Sequence, residues 1–363
     1  MNKTSKILLI IAGACIVFGT LLCIISLNLT QFFPNQWDEN DYHSVNHTVT
    51  DSFTSIRVEG GLDSDLLIQP AKENQKYLVV TYEQESLPHT VRVENGTLII
   101  GRRDERKWYD HITLFSFKNP HISIYLPEAT YDSLYVDNDT GDITTDKQLV
   151  FGNVDIRTDT GDVAFRSQVI ENLAIKTSTG RIDIRNTNLP SAVLTATTGK
   201  IILHNIKTAG DVTITTSTGA QSISELQCRN LTLKCTTGGL TCESVQIDDA
   251  LQFNSSTGHV TLSKIRCGTI NGKASTGDIN CSDLMATGEL RMETSTGEIK
   301  LTASDAATLN IKTDTGDVEG TLLSDKIFYT ETDTGNIQVP KSTTGGICEV
   351  VTDTGSIRFE ILS

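Results

Sequence analysis

The chain has no basic surplus: 30 lysines and arginines face 45 aspartates and glutamates, a formal charge of −15 over 363 residues. That balance argues against nucleic acid or an anionic lipid surface as a partner and leaves cations and basic partners compatible. A catalytic signature is missing too. No paired carboxylates, Cys–His arrangement or phosphate-cradling glycine loop stands out, so no enzyme, cofactor or resident metal is expected. His43 and His47 stand four residues apart, but in a polar spacer where a metal site is not expected.

Charge is absent altogether from Ile7 to Leu29. As a helix rising ~1.5 Å per residue this run would reach roughly 34 Å, enough for a ~30 Å hydrocarbon core. It exceeds the ~7–15 residues of a signal-peptide apolar region, and no small-residue cleavage site follows it. Cys15 does not suit lipid attachment, because a chain starting there would begin with more membrane sequence, Ile16-Val17-Phe18. Lys3 and Lys6 precede the run and Asp38 is the first charge after it, so residues 1–6 are expected in the cytoplasm and everything beyond 29 outside it, in a single-pass cell-membrane protein.

Strong helix formers are scarce in the rest of the chain, where Gly, Thr, Val and Ile dominate in a regular pattern. Thr-Gly recurs at Gly141, Gly161, Gly180, Gly199, Gly219, Gly238, Gly258, Gly277, Gly297, Gly316, Gly335 and Gly355, always 19 or 20 residues apart. Counting from each glycine, position −7 carries Leu134, Val154, Leu173 and their equivalents down to Cys348, and position −5 begins with Val136, Ile156 and Ile175. The positions between are polar, as at Arg157, Lys176 and Lys234, which is the period-two alternation of a half-buried strand. A second apolar pair follows at +2 and +4. Inward parity changes at the glycine, which can take positive φ without a Cβ clash, so each repeat is predicted to be a β-arch. A short strand cannot bury its one apolar face alone, but rungs stacked ~4.7–4.9 Å apart align every column. The predicted fold is all-β: a β-solenoid of about twelve rungs after one transmembrane helix.

The unit Thr158-Asp159-Thr160-Gly161-Asp162-Val163, repeated as Thr313-Asp314-Thr315-Gly316-Asp317-Val318, resembles a bacterial β-strand-repeat family of unknown function labelled "putative adhesin". Phe53 to Pro70 resembles an opening rung, with Ser64-Asp65 in place of Thr-Gly-Asp, and Ile122 to Pro127 followed by Ser133 to Val136 resembles the family's lead into its repeats. The resemblance spans about residues 50–363 and implies a solenoid, often membrane-tethered. The expected organisation is a cytoplasmic tail over 1–6, the membrane helix over 7–29, a spacer over 30–50, an irregular β-rich cap over 51–132 and regular repeats over 133–363. Within the cap, the charged stretch from Arg102 through Trp108 to Tyr109 reads as a protruding loop; Arg358 and Glu360 read as a weak cap at the other end.

Other residues invite functional readings. Cys242 and Cys281 share an inward column two rungs apart, as do Cys228 and Cys267 in another, roughly 9.5 Å by rung spacing and beyond the ~7 Å reach of a disulfide. They read as buried hydrophobes; Cys235 and Cys242, flanking one turn, are the pair left open. Aspartates gather at the corner in the end rungs, among them Asp139, Asp142, Asp159, Asp162, Asp314, Asp317, Asp333 and Asp353, but Ser178, Arg181, Lys200 and Ala220 interrupt them and the calcium-binding nonapeptide is absent. Both threonines of Thr-x-Thr share the apolar phase and are expected to point inward, which opposes an ice-binding face. Eleven successive spacings that vary by one residue leave no room for the long loops that wall the cleft of a polysaccharide-active solenoid. The expectation is therefore an envelope binding, adhesion or scaffold module whose partner is a cell-wall polymer or another envelope protein. The alternative is a structural or regulatory partner of another membrane protein, acting through the loop around Trp108.

Overall fold

The computed structural model describes residues 18–20, 42–72, 77–84, 87–103 and 120–362. It divides into two compact units, residues 1–43 and 44–363, each treated by itself. The expected membrane helix lies outside the described residues except for helical 18–20, and among the described residues no helix is long and apolar enough to cross a membrane. The loop around Trp108 also lies outside them. Within the expected spacer, the strand Tyr42–Thr48 is formed; His47 Nε2 lies 3.2 Å from Thr81 Oγ1, and the Val49 amide donates to the Tyr77 carbonyl at 3.2 Å.

The described residues of the second unit form the all-β solenoid, with about 11 turns between the first and last of the twelve corner glycines. A middle rung consists of two strands, such as Ala192–Thr198 and Ile201–Lys207, and each pairs in parallel with its equivalent in the next rung, Leu194 with Ile214 and Leu203 with Ile223. The predicted inward columns form the interior: Leu134, Val154, Leu173 and Ala192 at −7, Val136, Ile156 and Ile175 at −5, and Ile182, Ile201, Leu240 and Val260 at +2 are all buried. Each large aliphatic side chain placed there contributes roughly 1.5–3 kcal/mol relative to exposure. Ring size is matched between rungs: Phe253 fills the space left by Gly272, where a Cβ would meet its ring at 2.0 Å, and Phe359 does the same over Gly320.

Three features differ from the sequence expectation. First, each middle rung has a second corner at +6, where Asn186, Asn205, Glu225, Ser244, Lys264, Asp283 and Ala303 take φ between 47° and 56°. Inward parity changes there, so that Ile206, Leu226, Val245, Ile265 and Leu284 at +7 are buried. Secondly, the −1 threonine is exposed in every rung while the −3 side chain is buried in all but that of Thr332, which is half-buried, because the alternation stops at −3 and −2 and −1 turn outward into the corner. Thirdly, the rungs are not stacked in chain order at the ends. Gly346–Thr354 lies between the rung of Leu309 and the strand Lys326–Thr334, and Ile357–Ile361 lies between Val318–Leu322 and Ile337–Gln338. Arg358 and Glu360 therefore do not cap the stack; Arg358 Nη1 reaches Glu319 Oε1 at 3.5 Å inside it.

The other end is built the same way. The opening rung, Ser55–Val58 and Asp65–Pro70, lies between Thr130–Thr140 with Ile143–Thr145 on one side and Thr97–Arg102 with His121–Leu126 on the other. Two antiparallel strands, Leu78–Gln84 and His89–Glu94, then cover that outer pair. Ser64 occupies the glycine's place in the corner column, since a Cβ on Gly141 would lie 2.3 Å from its carbonyl oxygen.

Candidate functional site: the glycine corner

All twelve glycines picked out by spacing stand at one corner of the solenoid with φ between 129° and 155°, a region closed to L side chains. Close approach adds a second reason for glycine. At Gly199 a Cβ would sit 1.8 Å from the Gly180 carbonyl oxygen, and at Gly219 it would sit 2.0 Å from that of Gly199.

The Thr-x-Thr-Gly-Asp unit can be accounted for group by group. The Gly161 amide donates to the carbonyl of Thr179, the −1 residue of the next rung, at 2.9 Å. The −3 hydroxyl of that rung, Thr177 Oγ1, donates back to the Gly161 carbonyl at 3.3 Å, and Thr313, Thr332 and Thr352 repeat the bond to Gly297, Gly355 and Gly316. Cys235 replaces this threonine in its own rung, its Sγ lying 3.5 Å from the Gly219 carbonyl oxygen. The +1 carboxylate accepts the +1 amide of the neighbouring rung: Asp65 from Asp142 at 2.9 Å, Asp142 from Asp162 at 2.8 Å, Asp162 from Arg181 at 2.7 Å and Asp278 from Glu298 at 3.0 Å. These aspartates hold backbone donors, and among the described residues no three His, Cys, Asp or Glu side chains are placed to share a metal ion.

One side chain of the motif, present in all twelve rungs, has no such role in any of them. The threonines Thr140, Thr160, Thr179, Thr198, Thr218, Thr237, Thr257, Thr276, Thr296, Thr315, Thr334 and Thr354 are exposed, and among the described residues their hydroxyls make no hydrogen bond. They form an unbroken row of hydroxyls and methyls at the rung spacing of ~4.8 Å. Beside them, −2 alternates among Asp, Ser and Thr, and +1 ranges from Asp162 through Arg181 and Lys200 to His259. The row was not anticipated from the sequence, because strict alternation placed it indoors.

All six cysteines among the described residues are free and buried, including Cys235 and Cys242. Burial pushes the thiols of Cys228, Cys242, Cys267 and Cys348 up to about 12, and that of Cys281 upward as well. Protonated at neutral pH and shut off from solvent, they are packing groups and poor nucleophiles. A buried titratable pair lies in the cap, where Glu83 accepts both the His89 amide at 2.8 Å and its Nδ1 at 2.6 Å. Burial lowers the His89 pKa; at Glu83 the burial that would raise the pKa is outweighed by the bonds from His89 and Thr81, so its pKa is lowered.

The sequence pattern of the Toastrack DUF4097 family matches this chain twice, over residues 53–216 and 208–360. No curated protein matches the sequence. Among solved structures, a "putative adhesin" from Parabacteroides distasonis is similar at 9% identity and TM-score 0.36, covering 88% of this chain and 98% of its own. A "putative adhesin" from Bacteroides fragilis is similar at 13% and 0.24, covering 89% and 98%. A "putative cell adhesion protein" from Clostridium sporogenes is similar at 8% and 0.19, covering 88% and 100%.

Proposed function

Because this chain belongs to the Toastrack DUF4097 family, we propose that it is a non-catalytic binding module of the cell envelope, held at the membrane by residues 7–29 and presenting its solenoid outside the cytoplasm to a cell-wall polymer. The observation that carries this reading is the row of twelve exposed threonines. The recurring groups that are used, namely the glycine amide, the −3 hydroxyls of Thr177, Thr313, Thr332 and Thr352 and the +1 carboxylates of Asp142, Asp162 and Asp278, bond to the backbone of a neighbouring rung. Among the described residues the −3 hydroxyls of Thr158 and Ser255 bond to nothing, and the outward −1 hydroxyl is repeated in every rung without a bond in any of them. A rigid stack offers it at fixed intervals, as extended solenoid surfaces do in recognition. The tether is supported by the charge-free run from Ile7 to Leu29 and the lysines before it.

The test is sedimentation of the full-length chain, in detergent micelles, with purified insoluble cell wall. Cosedimentation that falls when Thr218, Thr237, Thr257 and Thr276 are replaced together by Ala is the expected result. A chain that stays in the supernatant, or that sediments equally after that replacement, overturns the reading. For the tether, a thiol-reactive, membrane-impermeant probe should label Thr218→Cys in intact cells; labelling only after lysis would refute the orientation.

A further inference from the structure

The second corner has a property the first lacks. At +6 seven successive rungs place a residue with a side chain in the left-handed region, although glycine is free of strain there and is used at the other corner in all twelve Thr-Gly rungs. In four consecutive rungs these side chains, Asn205, Glu225, Ser244 and Lys264, face the +8 residues Lys207, Gln227, Gln246 and Arg266 across an open groove of about 470 Å³. Its floor is the buried +7 pair Leu226 and Val245. The groove exists because parity changes at +6, so that exposed residues stand on both sides of an inward one.

Some surface charges on this solenoid are answered across a rung, Arg181 by Asp162, Arg229 by Asp211, Lys273 by Glu293 and Lys300 by Glu319, while among the described residues Lys176, Lys200 and Lys234 stand singly without a partner. In the groove several unanswered polar groups stand together. Among the described residues, the side chains of Lys207, Glu225, Gln227, Ser244, Gln246 and Lys264 make no hydrogen bond or ion pair, while Arg266 is held by Asp283. Glu225 and Lys207 stand in adjacent rungs and still do not pair.

Resting on the wall-polymer reading above, we infer that this groove binds an extended, acidic glycan lying along the stack. Rungs rise by ~4.8 Å, about the length of one sugar ring in an extended chain, so successive rings meet equivalent positions of successive rungs. The amides of Gln227, Gln246 and Asn205 and the hydroxyl of Ser244 offer donors and acceptors to ring hydroxyls and N-acetyl groups. No aromatic side chain lines the groove, so recognition is by hydrogen bonding and charge. Lys207 and Lys264 stand three rungs apart, roughly 14 Å on that spacing, and receive the carboxylates of the glycan. Because the chain carries −15 overall, an acidic ligand is repelled from most of the surface and directed here.

The experiment is calorimetric titration of the full-length chain in detergent micelles with a tetrasaccharide alternating N-acetylglucosamine and glucuronate. A neutral N-acetylglucosamine tetramer and inorganic polyphosphate serve as comparison probes. The acidic tetramer should bind more tightly than either. Lys207→Ala with Lys264→Ala should weaken it at least tenfold, Gln227→Leu with Gln246→Leu should weaken it similarly, and Lys176→Ala with Lys234→Ala, exposed on another face, should leave it unchanged. The inference is overturned if the tetramer does not bind, if the groove variants bind it normally, or if polyphosphate binds as well as the tetramer. Cosedimentation with cell wall that persists in the groove variants would remove this site and leave the proposed function standing; tetramer binding without cosedimentation would do the reverse.

Discussion

Two adjacent glycines give the sharpest test of the corner. Gly238 has φ 142°, and a Cβ there would lie 2.3 Å from the Gly219 carbonyl oxygen and 2.6 Å from its carbon. Gly239, the next residue, has no positive φ, and its Cβ would meet only the His259 carbonyl oxygen at 3.7 Å. Gly238→Ala has to hold a side chain in a glycine-only conformation, roughly 1–3 kcal/mol, and displace the Gly219–Ala220 backbone of the neighbouring rung, roughly 1–3 kcal/mol more. Gly239→Ala should be neutral or stabilise by roughly 0.4–1 kcal/mol through the unfolded chain. The two variants should therefore differ by at least about 2 kcal/mol. Stacked rungs open locally, so the readout is native-state hydrogen exchange alongside chemical denaturation. The amides that close the steps beside this rung, Gly219 to Thr237 at 2.8 Å and Gly238 to Thr257 at 2.9 Å, should lose protection first. If Gly238→Ala is no more harmful than Gly239→Ala, close packing of the corner is not what selects glycine and the account given above fails.

Lys326 Nζ lies 2.6 Å from Asp305 Oδ1, with side chains only 3% and 9% exposed, so Lys326→Met should cost roughly 3–5 kcal/mol by stranding the carboxylate, and adding Asp305→Leu should recover much of it; equal melting of single and double variants would contradict this. In the cap, His89 is held neutral and Glu83 ionised, both with lowered pKa, so stability is full above the ordinary histidine value of 6.5 and declines as pH falls below it, then further below 4.5 as Glu83 protonates. Hydrogen exchange of Leu78–Gln84 should accelerate over that range ahead of the solenoid, and His89→Phe should flatten the upper part; acceleration on raising the pH instead would reverse the sign of the argument. Finally, Thr313→Val should cost about 1 kcal/mol by leaving the Gly297 carbonyl without its 3.2 Å hydroxyl bond, whereas Thr315→Val, on the exposed row, should stay within about 0.5 kcal/mol in thermal melts.

The solenoid, its glycine corner and its inward columns were legible because each is written once per rung and a period survives any local irregularity. The second corner was written less plainly: Leu226, Val245, Ile265 and Leu284 stand at +7 where alternation from +4 would put them at +6, and that one-residue slip was the signal. The orientation of the outer threonine was misread because alternation was carried one step too far, into residues that had already left the strand. The order of the end rungs was hidden by the repeat itself. Thr313-Asp314-Thr315-Gly316 and Thr352-Asp353-Thr354-Gly355 offer nearly the same edge, so spacing alone accepts either neighbour. The discriminating clue is volumetric: Gly320 needs a bulky residue above it, and Phe359 supplies that ring.

The interleaved end rungs bear on how the molecule responds to force. In a stack laid down in chain order, a pull on either terminus peels the outermost strand away one hydrogen bond at a time. Here the first strand of the opening rung, Ser55–Val58, and the last strand, Ile357–Ile361, are each gripped from both sides, with Tyr42–Thr48 ahead of the first as an edge strand on Leu78–Gln84. Tension on such a strand must drag it lengthwise between two neighbours, breaking many bonds together.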